Sequence, residues 1–188
     1  GCIDSVVAVS LHFLGLLRGG MIMRSDYVYR ATFEHVLSVL TMSNRLAIET
    51  SLVTGLRISD VLSLKTDDVR RSDRLSVVES KTGKRKRIYL PHDLRDMLLR
   101  IAGKIYIWPH RLDYRRHRTR QAVYKDIKRA CKAFRLTHVQ ISPHTARKIY
   151  AVSKYQKYQD IAKVKQLLNH DDEAVTMIYA MADMITAR

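Results

Sequence analysis

Several residues spread along the chain are of the types that handle a phosphate. In ISPHTARKIYAV, His144 and Arg147 stand three positions apart, a spacing that turns both side chains to one face of a helix. Ser142 is placed to cap that helix and Pro143 fits its first turn, so the pair belongs to the N-terminal turns, where the helix dipole and free amides welcome an anion. Taken alone, an HxxR pair is more often a solvated surface feature than a site.

In TGLRISDVLSL, Arg57 enters a helix whose buried side is apolar, and an arginine there needs an anion. Asp60, three residues on, is one candidate, and a phosphate is the other. Lys81 opens the KTGK turn beside Lys84, Arg85, Lys86 and Arg87. That patch suits a nucleic-acid groove, although a charged hairpin tip is usually just solvated. His170 follows Asn169, a residue that tolerates the left-handed conformation ending a helix. Tyr179 lies in the next helical segment, where a tyrosine ordinarily belongs to core or rim. Asp171, Asp172 and Glu173 are consecutive, so they cannot all converge on one cation, and capping the final helix explains them more simply.

These residues need a scaffold, and the apolar periodicity supplies a mainly helical one. Phe33, Val36, Leu37 and Leu40 recur at helical spacing, and Ser43 is a candidate cap for a second helix through NRLAIETSLV. A third helix buries Ile58, Val61, Leu62 and Leu64. RLSVVES and RKRIYLP read as strands joined by the glycine-containing KTGK turn, a hairpin. HDLRDMLLRIAG reads as a helix ending at Gly103, and KIYIWP as a short strand or extended crossing. After the basic loop HRLDYRRHRTR, a long amphipathic helix carries Val123, Ile127, Ala130 and Phe134 as its stripe. DIAKVKQLLNH closes at Asn169, and DDEAVTMIYAMAD is the last helix. The expected fold is mainly α with a small antiparallel sheet, an α+β arrangement over residues 32–188, with residues 1–31 as an N-terminal arm.

Composition narrows the partner. With 34 Lys plus Arg against 18 Asp plus Glu, the 188-residue chain carries a formal charge of +16, which favours a polyanion, nucleic acid before an anionic membrane. Cys2 and Cys131 lie far apart, and their spacing suggests neither a zinc site nor a disulfide framework. The apolar stretch over residues 6–17 is short of the roughly 20 residues that span a bilayer, and a cytoplasmic, nucleoid-associated protein fits.

The order and spacing of TGLRISDVLSL, ESKTGKRKRIYLP, SPHTARKIYA and LLNHDDEAVTMIYA resemble the catalytic domain of the tyrosine recombinases, the phage-integrase family. The resemblance implies a catalytic set of Arg57, Lys81, His144, Arg147, His170 and Tyr179, with Asp60 at the acidic position that supports it. It implies a site-specific DNA recombinase that cuts and rejoins strands through a 3′-phosphotyrosyl link, with Tyr179 as nucleophile and neither ATP nor metal required. Arg57 and Arg147 would grip the phosphate, Lys81 would be carried by its turn to the departing 5′-oxygen, and His144 would accept the phenol proton. Lys84, Arg85, Lys86, Arg87, Arg115, Arg116, Arg118 and Arg120 are the expected contacts to double-stranded DNA. A homo-oligomer follows, a tetramer on DNA, with a place for accessory DNA-bending proteins and no membrane. Asn169 stands where the family usually has Gly and Lys148 where it most often has His. The first 31 residues fall short of the family's N-terminal DNA-clamping domain, so a catalytic domain alone is expected. Two other readings use the same residues: a type IB topoisomerase-like nicking and closing enzyme, and a DNA-binding remnant that no longer cleaves.

Overall fold

The structure, a computed structural model, describes residues 30–136 and 141–169. In chain order these form α1 (Arg30–Ser38), α2 (Met42–Thr54), α3 (Ile58–Leu62), α4 (Thr66–Arg71), β1 (Arg74–Val78), β2 (Arg85–Tyr89), α5 (His92–Ile101), α6 (Arg120–Ala133), α7 (Pro143–Tyr158) and α8 (Ile161–Leu167). The expected α+β class, mostly helical with one small antiparallel sheet, is what forms. The segment expected as the last helix lies outside the described residues, as do residues 1–29.

Helix α2 is the central element. It packs along α7, against α3 and against α5, while α6 bridges α1 and α7. One apolar cluster runs through all of these, with Phe33, Leu46, Leu56, Trp108, Ile127 and Ile141 among its most enclosed members. A smaller cluster of Tyr150, Ala151, Val164 and Leu168 seats α8 on α7.

Local details depart from expectation in instructive ways. Helix α2 begins at Met42 rather than after Ser43, with Thr41 in the cap position making no side-chain cap bond. Asp126 of α6 substitutes for that cap: its Oδ2 accepts from the Thr41 amide and hydroxyl, both at 3.0 Å, and from Asn44 Nδ2 at 2.7 Å. Ser43 instead lends its carbonyl to the Trp108 indole N–H at 2.7 Å. KIYIWP is an extended crossing with two isolated bridges, Lys65 to Tyr106 and Pro109 to His117. Helix α5 stops at Ile101, two residues before Gly103, because Ala102 turns extended.

The start of α7 follows the sequence closely. Ser142 Oγ accepts from the His144 amide at 3.2 Å, and Thr145 Oγ1 accepts from the Ser142 amide at 3.0 Å, a reciprocal capping box with Pro143 in the first turn.

Candidate active site

The TGLR turn brings Arg57 into place. After α2 the chain reverses at Gly55, whose φ of +68° is left-handed, and a Cβ there would lie 2.5 Å from the Tyr150 ring. Glycine is therefore required both by the turn and by the close approach of α7. Arg57 follows in extended conformation at the N-cap of α3, with its side chain buried.

Its partner among the described residues is an acid that the sequence analysis did not single out. Glu79, fully buried at the end of β1, places Oε2 3.3 Å from Arg57 Nη1 and Oε1 3.5 Å from Arg147 Nη1. The same carboxylate accepts from Asn169 Nδ2 at 3.0 Å and from Thr82 Oγ1 at 3.2 Å. Burial works against its charge, yet the Asn169 hydrogen bond and the nearby Arg147, Arg57 and Lys86 together hold its pKa below the ordinary value.

Arg147, buried in α7, also donates to two backbone carbonyls, Gly55 O in the TGLR turn and Leu168 O at 3.3 Å. It thus ties that turn to the end of α8. Asn169 follows with φ +57°, the left-handed conformation its residue type permits. His144 sits one turn before Arg147 on α7, half-buried.

Asp60, the carboxylate nearest to Arg57 in sequence, does a different job from the one its spacing suggested. It is buried, and its Oδ1 accepts from the Ser80 amide at 2.9 Å. That bond pins α3 to the hairpin turn immediately before Lys81, and Lys81 itself is exposed. The hairpin pairs Arg74 with Tyr89 through Val78 with Arg85, and its turn closes with Glu79 N to Lys84 O at 3.0 Å and Gly83 N to Glu79 O at 2.8 Å.

The basic residues divide into two groups. Lys84, Arg85, Arg87, Arg115, Arg116 and Arg120 are exposed. Lys86 is not part of that outer patch: on β2 it alternates inward with Ile88 and is only 7% exposed. Arg118 is half-buried and donates to Asn44 Oδ1 at 2.7 Å, so it anchors the basic loop to α2. His170 and Tyr179 lie outside the described residues.

Glu79 escaped notice, and Lys86 was placed with the outer basic patch, although the positions of both carried a signal. Leu75, Val77 and Glu79 alternate along one edge of the hairpin, and Lys86, Ile88 and Leu90 along the other, with all six buried. A charge in an inward register position must find a counter-charge.

The described site therefore brings Arg57, Arg147, Asp60 and the base of the Lys81 turn together around one buried carboxylate. Known proteins share this arrangement of elements. The isolated catalytic core of lambda integrase matches with a TM-score of 0.62 at 24% identity, over 78% of this chain and 92% of that one. XerH site-specific recombinase bound to its difH substrate matches with a TM-score of 0.64 at 17% identity, over 89% of this chain and 54% of that one. These likenesses define the fold as that of an integrase catalytic core.

The sequence then fixes the family. The model of the phage integrase family matches residues 28–185, and the chain belongs to that family. The probable integrase/recombinase YoeC of Bacillus subtilis is 31% identical over 140 residues, covering 72% of this chain and 75% of that protein. Tyrosine recombinase XerD of Brucella suis is 28% identical over 142 residues, covering 70% of this chain but only 46% of XerD. The chain thus spans three quarters of one relative and less than half of the other.

Proposed function

We propose that this chain is the catalytic domain of a site-specific DNA recombinase, over residues 32–188, that cuts and rejoins duplex DNA through Tyr179. The observation that carries the reading is the meeting of Arg57 and Arg147 at a single carboxylate. Two guanidinium groups brought together in this way can hold the non-bridging oxygens of one phosphodiester and offset the charge that grows in the pentavalent state.

In the reaction the Tyr179 oxygen attacks phosphorus, an O–P bond forms to the 3′ side, and the bond to the 5′-oxygen breaks. The phenol proton passes to His144, and Lys81 protonates the departing 5′-oxygen. His170 hydrogen-bonds a phosphate oxygen. Because the phosphotyrosyl ester keeps the bond energy, a 5′-hydroxyl can reverse the step without ATP. The exposed Lys84, Arg85, Arg87, Arg115, Arg116 and Arg120 position the duplex through its backbone. Lambda integrase has been solved as a dimer on a core site and as a tetramer on a Holliday junction. Assembly of this chain into a tetramer on DNA, with accessory DNA-bending proteins, is part of the same proposal.

The test is a nicked suicide duplex carrying the attachment site read from DNA flanking the gene. Wild type should form a covalent protein–DNA adduct that survives SDS, and Tyr179→Phe should form none. An adduct in Tyr179→Phe, or none in wild type, defeats the reading. Relaxation of a supercoiled plasmid lacking any such site would favour a nicking and closing enzyme instead.

A further inference from the structure

Lys86 sits where the hairpin's alternation calls for an apolar residue. It lies opposite Val77 on the inward face, and its amine is buried with no hydrogen-bond partner among the described residues. The amine stands 5.4 Å from the centroid of the Tyr150 ring. With Tyr150, Lys154 and Asn169 it lines a cleft of about 460 Å³ whose described wall includes no Asp or Glu.

Among the described residues, the charged and titratable groups around it come from three directions. Arg57 and Asp60 belong to the start of α3, Glu79 to the hairpin, and Arg147, Tyr150 and Lys154 to α7. Counted at formal charge, the two arginines balance the two carboxylates at the core of this group. A buried ammonium with no acceptor is costly there. A phosphodiester arriving on the arginines would leave one negative charge uncompensated, and the only thing Lys86 needs to supply the balance is a proton.

We propose that Lys86 is a positioning residue of the phosphate seat: a neutral amine in the free protein that takes one proton from solvent when a phosphodiester settles against Arg57 and Arg147. The inference rests on the reading of those arginines as the phosphate-binding pair. Burial, reinforced by Arg147 and Arg57 and opposed by Glu79 and Asp60, pulls the Lys86 amine down to about 7, so both protonation states are accessible near neutral pH. The sign follows: a group protonated only in the filled seat makes anion binding tighter as pH falls toward 7 and weaker as pH rises above it.

The experiment follows the ionisation of Lys86 directly, by NMR of protein labelled with ¹³C at the lysine ε-carbon, the resonance being assigned by its loss in Lys86→Arg. Sulfate is the probe, a tetrahedral anion whose charge is constant over this range, against chloride at matched ionic strength. In chloride the resonance should titrate near neutrality, and saturating sulfate should raise the midpoint by about one pH unit or more, a tenfold gain in proton affinity. Titration at the ordinary lysine value in chloride, or no shift with sulfate, overturns the proposal. Calorimetry of sulfate binding at pH 8, in buffers of different ionisation enthalpy, gives a second reading: wild type takes up protons and Lys86→Met does not. Equal uptake in the two overturns it as well, and if Lys86→Met fails to fold the NMR titration of wild type still decides. A covalent adduct without any sulfate response would sink only this inference. A sulfate response without an adduct would sink only the recombinase reading.

Discussion

Arg57 Nη1 lies 3.3 Å from Glu79 Oε2, and the other oxygen of that fully buried carboxylate is 3.5 Å from Arg147. One acid therefore aligns two cations that the chain delivers from different helices. It also holds Asn169 and the hairpin turn in the same cluster of bonds.

Replacing Glu79 by Ala leaves two buried guanidinium groups without their shared counter-charge, and truncating one partner of a buried ion pair costs about 3–5 kcal/mol. Denaturant unfolding followed by circular dichroism should show a loss of that size. An unchanged midpoint would mean that the carboxylate does not hold the arginines.

Glu79 also sets an acid limb. Its folded pKa is held below the ordinary 4.5, so its ionised form stabilises the fold at pH values above that figure. This contribution is lost as pH falls below 4.5 and through the folded value. Stability measured across that acid range should decline less steeply in Glu79→Gln than in wild type.

Arg57→Ala and Tyr179→Phe should each abolish strand cleavage while leaving DNA binding largely intact. Loss of a charge-stabilising donor costs about 10²–10³ in rate where it has been measured, and loss of the nucleophile removes the reaction itself. Gel shift reports binding and SDS gels report the adduct. Loss of both signals together would point to misfolding instead.

The basic loop offers an internal contrast. Arg116→Ala and Arg120→Ala remove exposed cations and should weaken DNA binding alike on all sequences, each lowering the slope of log affinity against log salt by about one. Arg118→Ala removes the donor to Asn44 and should instead lower the melting temperature. Fluorescence anisotropy against salt and a thermal melt separate the two behaviours, and the reverse pattern would contradict the assignment of Arg118 as an anchor.

Gly55→Ala imposes a left-handed φ on a residue with a Cβ and drives that atom into the Tyr150 ring. Such incompatible replacements destabilise by more than about 1 kcal/mol. The melt should shift down accordingly, and cleavage should fall with it because Arg57 leaves the same turn.

Much of this architecture was written in the periodicity. The helix stripes, the hairpin and the capped start of α7 follow from apolar spacing and from Ser142 and Pro143, which act over a few residues. Arg57 was legible as a cation in want of an anion. The identity of that anion was not, because Asp60 is near in sequence while Glu79 is near only after the hairpin folds back. Lys86 was grouped with its neighbours as one basic patch, since composition does not see the pleat that turns alternate side chains inward. The structural bond of Arg118 was hidden for the same kind of reason: its acceptor, Asn44, is supplied by a distant helix. Long-range pairing of polar groups leaves only a faint mark on local sequence, here the charge at an inward strand position.

The bond from Ser80 to Asp60, together with the closed bonding of the turn that follows, sets how far a terminal amine can range. With the preceding amide clamped and the far side of the turn tied back to Glu79, Lys81 starts from a fixed pivot. From that pivot, the reach of its exposed amine is set by its own flexible four-carbon stem.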